Sequence, residues 1–208
     1  MTANKKRKDA HLWARDPDDW YVEPRWCSQG LFAVELFQGN IWDPACGSGR
    51  ILDAARCAGH DTYGMDIRDR LRRPDHVFVQ GDFLAAEELA PHNIVTNPPY
   101  LHADAFAAAC LRRARRKVAL LLRAQWANAG TRSRWLESLP LRRVLVITPR
   151  PSMPPGAVIL ANGGKDPSGG LQDYAWYIFE RDYTGNPEFG WCRRPDKSNA
   201  SRLMAEAA

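Results

Sequence analysis

The chain has 208 residues, is 45% hydrophobic and carries a formal net charge of +5, which suits one α/β domain with a real core and leaves little room for a second. No apolar run exceeds a few residues, Val118-Ala119-Leu120-Leu121-Leu122 being typical, so a transmembrane helix is not expected, and the basic start Lys5-Lys6-Arg7-Lys8 lacks the apolar region of a secretory signal. Five dispersed cysteines (Cys27, Cys46, Cys57, Cys110, Cys192) without a Cys-x-x-Cys pair argue for a reducing cytoplasm and against a disulfide framework or structural zinc, so no metal site is expected.

Residues 1–19 are polar and charged and read as a flexible basic arm; residues 20–208 read as the single domain. Trp20-Tyr21-Val22-Glu23-Pro24 precedes a helix that Ser28 could cap, with Leu31, Phe32, Val34, Leu36 and Phe37 as its apolar face and Gly39-Asn40 as its end. Next, Ile41-Trp42-Asp43-Pro44-Ala45-Cys46-Gly47-Ser48-Gly49 leads into the helical pattern Ile51, Leu52, Ala54, Ala55, Ala58, which Gly59 can terminate. Strand, small-residue loop and helix open a nucleotide-binding βα unit, in which Gly47 and Gly49 let a cofactor approach the main chain. The dinucleotide fingerprint is excluded because an aliphatic residue stands where its third glycine belongs, and a P-loop is excluded because no Gly-Lys-Ser/Thr follows.

A second strand, Thr62–Met65, ends in Asp66, an acid that can accept the hydroxyls of a ribose; a third, His76–Val79, leads to Gly81-Asp82-Phe83, where Asp82 could accept an adenine amino group and Phe83 could pack on its ring. Ile94-Val95-Thr96 forms a fourth strand and runs into Asn97-Pro98-Pro99-Tyr100, ahead of an alanine-rich helix from Asp104 to Arg116. Two prolines fix φ and remove two donors, which leaves the Asn97 side chain and the Pro98 carbonyl as rigid acceptors suited to an amino group, while Tyr100 offers a flat face to a planar substrate. Any one acid at a strand end is an ordinary turn residue. Three successive strands ending in Asp43, Asp66 and Asp82, followed by one ending in Asn97, form a constellation.

A fifth strand (Val118–Leu122), a short helix (Trp135–Leu139), a sixth strand (Val144–Ile147), a long Pro/Gly-rich connection from Pro149 to Gly170 and a last strand (Tyr174–Phe179) with an aromatic tail complete the chain. The fold class expected is α/β, Rossmann-like and doubly wound, with a seven-stranded, mostly parallel sheet closed by a terminal antiparallel hairpin. Arginine clusters at 112–116, 132–134, 142–143 and 193–194 fit a polyanionic partner, as they also fit solvated helix faces.

The order Asp43-Pro44-Ala45-Cys46-Gly47-Ser48-Gly49, Asp66, Gly81-Asp82-Phe83, Asn97-Pro98-Pro99-Tyr100 closely resembles the S-adenosylmethionine-dependent amino-methyltransferases, most of all the DNA adenine-N6 methyltransferases of phage and restriction-modification type. The resemblance spans residues 20–180. It implies a class I methyltransferase fold, S-adenosyl-L-methionine as cofactor and DNA as partner, with Asp43, Ala45, Cys46, Gly47 and Gly49, then Asp66 with Ile67, then Asp82 with Phe83, holding the cofactor, and Asn97, Pro98, Pro99 and Tyr100 as the catalytic turn. Tyr21-Val22-Glu23-Pro24 resembles the Tyr-x-x-Pro element of the permuted subclass, which adds Tyr21 and Pro24 to the cofactor set, although a threonine is usual where Glu23 stands. Related enzymes carry aspartate in the place of Asn97. The stretch from Arg150-Pro151 to Trp176 resembles the loop and strand that line the target-base pocket. Cytosine N4, an RNA base or a protein glutamine are alternative amino acceptors, and a catalytically silent nucleic-acid-binding module is the alternative of another class. A separate target-recognition domain is not expected.

Overall fold

In the computed structural model, residues 13–86 and 90–195 are described; the Lys5–Lys8 run expected in the arm lies outside them. Short apolar and β-branched runs bounded by turn residues form the strands β1 (Ile41–Asp43), β2 (Thr62–Asp66), β3 (Val77–Gln80), β4 (Asn93–Thr96), β5 (Lys117–Arg123), β6 (Leu141–Thr148), β7 (Tyr174–Glu180) and β8 (Glu188–Arg193). Helix α1 (Arg25–Val34) precedes β1, and α2 (Arg50–Cys57), α3 (Ala103–Arg113), α4 (Gly130–Glu137) and α5 (Gly156–Ala161) lie between strands.

The strands make one sheet in the order β3-β2-β1-β4-β5-β7-β6-β8. β1 pairs in parallel with both β2 and β4, so the strand order reverses between β1 and β4 and a crevice opens at their C-terminal ends. β7 inserts antiparallel between β5 and β6, which gives the expected antiparallel pair, and β8 adds in parallel to β6 at the edge. The sheet thus has eight strands where seven were expected. Glu188 to Arg193 becomes a strand because it can pair with all of β6 from Arg143 to Thr148, while its Phe189 and Trp191 stay exposed.

Alternate residues of the central strands feed two different cores. Ile94, Val118, Leu120, Tyr177 and Phe179 pack with α3, whereas Val95, Ala119, Leu121, Trp176 and Ile178 pack with α1 and α2. Burial on both faces is why β4 and β5 read as unbroken apolar runs. Two local expectations change. α1 starts at Arg25 behind Pro24, so Ser28 is buried inside the helix and caps nothing; the helix stops at Val34, leaving Leu36 exposed. The connection after β6 also contains a short helix, α5, within its Pro/Gly-rich surroundings. Among the described residues no helix is long and apolar enough to cross a membrane.

Candidate active site

A cavity of about 380 Å³ lies in the crevice. Its walls include Asp43, Ala45, Cys46 and Gly47 after β1, Asp66 and Ile67 after β2, Asp82 and Phe83 after β3, and Asn97 and Pro99 after β4, with Tyr21 among the residues that cover it. Most of the residues singled out in the sequence therefore meet around one space. Pro24, Gly49, Pro98 and Tyr100 do not line it: Pro24 caps α1, Gly49 caps α2, Pro98 is buried, and Tyr100 faces a neighbouring groove.

The loop after β1 folds on its own hydrogen bonds. Asp43 Oδ1 accepts from Ala45 N–H (3.1 Å), Cys46 O accepts from Gly49 N–H (2.8 Å) and Asp66 Oδ2 accepts from Gly47 N–H (2.8 Å). Gly47 has φ +49°, and a Cβ there would lie 2.7 Å from Trp20 Nε1, so only glycine lets Trp20 close over the loop. Arg70 stacks on that indole at 4.7 Å and donates to Asp66 (2.6 Å) and Asp18 (2.7 Å). Asp66 Oδ1 also takes Arg68 N–H at 2.9 Å. A carboxylate offers about four lone-pair sites, so three are filled and Asp66 has room for one further donor rather than both hydroxyls of a ribose.

Asp43 is almost fully buried; burial pushes its carboxyl well above the usual aspartate range, the nearby Glu23 and Asp66 add to this, and the Ala45 N–H opposes it. Asp82 Oδ1 accepts from Leu84 N–H at 2.9 Å. Phe83 belongs to the core, with the Arg113 guanidinium 4.3 Å over its ring and donating to the Phe83 and Ala86 carbonyls at 2.5 Å each.

The Asn97 amide is held at both ends. Nδ2 donates to the Tyr21 carbonyl (2.9 Å) and to Glu23 Oε2 (2.9 Å), and Oδ1 accepts from the Tyr100 hydroxyl (3.0 Å). Segment 20–22 is fastened by Gly156 N–H to Trp20 O (2.9 Å) and Val22 N–H to Pro154 O (2.9 Å). Asp19, at the end of the expected arm, accepts from Leu101 N–H at 2.8 Å.

On the other side of Tyr100 a groove of about 840 Å³ is lined by Tyr21, Tyr100, Tyr174, Arg123, Gln125, Ser152 and Met153. Tyr21 stacks on Tyr100 with centroids 5.9 Å apart, and Tyr174 approaches Tyr100 at 5.9 Å with a 40° tilt. Burial raises the phenol pKa of Tyr100 and of Tyr174, so both are neutral hydrogen-bond donors at ordinary pH. The Ser152 hydroxyl is buried with no partner among the described residues. The groove and the cavity share Asp19, Tyr21 and Leu101, so the Asn97–Tyr100 turn forms the partition between them.

Sequence reasoning missed Glu23 and Arg50 as parts of this site. Arg50 is buried, donates to the Glu23 carbonyl (2.8 Å) and the Gly164 carbonyl (3.2 Å) and pairs with Asp166. The one available signal is its place as the first residue of α2 after the glycine loop. Two of the four arginine clusters are engaged in ion pairs within the molecule: Arg132 with Asp104, Arg142 with Glu180, Arg143 with Glu35 and Glu188. Asp53, Asp75 and His76 come within 4.8 Å of one another outside both cavities, where Arg25, Arg56 and Arg73 pair with the two carboxylates.

Comparison with protein-family models and with curated proteins finds no match. Solved structures do match. A predicted O-methyltransferase from Agrobacterium tumefaciens aligns with a TM-score of 0.55 at 12% identity, covering 88% of this chain and 96% of that one. Magnesium protoporphyrin IX methyltransferase from Synechocystis PCC 6803, solved with bound SAM, aligns with a TM-score of 0.50 at 13% identity over 75% of this chain and 76% of that one. The M protein of the type I restriction enzyme EcoKI aligns with a TM-score of 0.52 at 13% identity, covering 79% of this chain and 45% of that one. At these identities the likeness establishes the fold, which is that of the SAM-dependent methyltransferases.

Proposed function

We propose that this chain binds S-adenosyl-L-methionine in the cavity at the β1/β4 crevice and methylates the exocyclic N6 amino group of adenine in DNA, with residues 20–208 as one methyltransferase domain. The observation that carries the reading is the Asn97 turn, which stands between a nucleoside-sized cavity and an aromatic groove and turns an amide oxygen towards Tyr100. The cavity suits the cofactor: Asp66 has one lone-pair site left for a hydroxyl, and the buried Asp43 turns its carboxyl into the glycine loop.

When bound, the cofactor supplies a methyl group carried on a positively charged sulfur. The chain's residues do the rest. Asn97 Oδ1 keeps a second lone pair after taking the Tyr100 hydroxyl, and with it accepts a hydrogen of the target amine. An aromatic amine is a poor nucleophile because its lone pair is delocalised, and an acceptor on its hydrogen localises that pair as the new bond forms. Tyr21, Tyr100 and Tyr174 give a flipped-out base an aromatic pocket, and Asn97 in the partition would bring its amine next to the cavity that would hold the methyl donor. The DNA reading is supported by the net positive charge, the open groove with Arg123 in its wall and the fold shared with a restriction-enzyme M protein. The segments on either side of α5, 149–155 and 162–173, both line the groove and would meet the bases beside the target.

Labelled cofactor offered to DNA, RNA and protein in parallel, followed by nucleoside analysis, tests this. Label in N6-methyladenine from DNA is expected; label confined to cytosine N4, RNA or protein would overturn the substrate, and no transfer to any acceptor would overturn the activity.

A further inference from the structure

The orientation of the Asn97 amide is decided by its neighbours. A backbone carbonyl and an ionised carboxylate can only accept, so the NH2 end must face Tyr21 O and Glu23 Oε2, each at 2.9 Å, which leaves the oxygen for the Tyr100 hydroxyl and for a substrate amine. Glu23 is itself fixed: it is buried, and its main-chain carbonyl is held by Arg50, which Asp166 and the Gly164 carbonyl anchor from the segment after α5.

We infer that Glu23 is a positioning residue whose carboxylate sets the orientation of the Asn97 amide, and that with Glu23 in place asparagine rather than aspartate is the competent residue at position 97. The inference rests on the reading of Asn97 as the group that meets the substrate amine. Without Glu23 the Tyr21 carbonyl alone holds the NH2 end, and the penalty for turning over, which would present NH2 to an amine, donor against donor, is reduced. With Glu23, an aspartate at this position would set a carboxylate oxygen against a second carboxylate and a carbonyl, with no donor between them unless one of the two carboxyls takes up a proton, which ties the pair to acid pH. This departs from the tolerance of aspartate that the family resemblance implies.

The groups that face Glu23 are Arg50 from α2, Asp166 beyond α5, Asp43 at the end of β1, Cys27 in α1 and Tyr100. Burial raises the Glu23 carboxyl above the usual glutamate range, against which the Asn97 N–H and Arg50 act. Only the ionised form is a pure acceptor, so the hold on Asn97 is complete above that pKa and is lost as pH falls through it.

The test uses the full chain in four forms: wild type, Glu23→Gln, Asn97→Asp and the double variant. Cofactor affinity by calorimetry, thermal midpoint from acid to neutral pH, and kcat and KM for methyl transfer to adenine-containing DNA are measured for each. Asn97→Asp is expected to lower the midpoint and to reduce kcat on the order of a hundred-fold, as loss of a preorganised group does. Glu23→Gln restores a donor opposite the introduced aspartate, so the double variant is expected to regain roughly ten-fold in kcat and part of the midpoint, a coupling that independent sites do not show. Glu23→Gln alone should lose a few-fold in kcat, keep KM, and lose the acid limb of the pH profile. A double variant no better than Asn97→Asp in midpoint and kcat would overturn the inference, as would loss of cofactor affinity in Glu23→Gln, which would make position 23 a cofactor ligand. Midpoints and cofactor affinity require no DNA: if all four proteins fail to methylate adenine, the proposed function falls and the midpoint cycle still decides the role of Glu23.

Discussion

The hydroxyl of Tyr100 donates to Asn97 Oδ1 across 3.0 Å. The residue whose ring would carry the base therefore also holds the amide that would meet its amine. Tyr100→Phe keeps the ring and leaves Asn97 Oδ1 short of one donor, a loss worth about 1–3 kcal/mol where the site is buried. Turnover is expected to fall roughly ten-fold with phenylalanine and much further with alanine, which removes the stacking face as well. Single-turnover methyl transfer with both variants checks this, and equal rates for the two would mean that the ring plays no part.

Asn97→Ala removes the acceptor without touching the glycine loop or Asp66. Cofactor affinity is expected to stay near wild type while turnover falls on the order of a hundred-fold or more. Calorimetry and transfer kinetics on the same preparation separate the two effects. Undiminished transfer would place the chemistry elsewhere.

Asp66 accepts Gly47 N–H, Arg68 N–H and Arg70. Asp66→Ala should weaken cofactor binding at least ten-fold, since charge-assisted hydrogen bonds are worth about 1.5–3 kcal/mol, and should also loosen the Trp20–Arg70 cover. Asp66→Asn, which keeps one acceptor for Gly47, is expected to lie between. Calorimetry with S-adenosyl-L-methionine gives the order, and equal affinity in all three would remove Asp66 from the site.

The strands around the cavity were legible because each is a short apolar or β-branched run ended by Asp or Asn, and burial on both faces leaves nothing else for Ile94-Val95 or Val118–Leu122 to do. β8 was not: it is an edge strand with Gly190 inside it and Phe189 and Trp191 exposed, so it has no inward stripe to read. Pro154-Pro155 and the glycines around it concealed α5. Glycine loop, acids and Asn97 could be named because their residue types state their chemistry. Glu23 and Arg50 could not, because what matters is the partner each reaches, Asn97 and Asp166, 74 and 116 positions away.

Asp43 links the cavity to stability. Its folded-state pKa lies above its unfolded value, so its contribution to stability is full below the unfolded pKa, about 3.9, and is lost as pH rises through the folded value. Asp43→Asn, neutral throughout, should therefore have a higher thermal midpoint than wild type at neutral pH, with the gap closing towards pH ~4. Midpoints that differ equally at both ends of the pH range would show that the Asp43 carboxyl does not titrate with folding.

Arg123 differs from the other arginines near the groove. Arg132 has Asp104 at 2.8 Å and Arg150 has Asp173 at 2.6 Å, whereas Arg123, half-buried at the end of β5, has no carboxylate in ion-pair reach among the described residues. A partly desolvated guanidinium without a counter-charge is unfavourable on its own and projects its field into the groove, where a phosphate of bound DNA would neutralise it. Losing one phosphate contact lowers the slope of log K against log salt by about 0.9 for duplex DNA. Arg123→Gln is expected to show that change and a several-fold loss of affinity at low salt. Arg142→Gln, whose guanidinium is already matched by Glu180, should keep the wild-type slope. Fluorescence anisotropy with one duplex from low to physiological salt compares the three proteins. If Arg123→Gln and wild type share a slope, Arg123 serves Tyr174 beside it and the phosphates are met elsewhere.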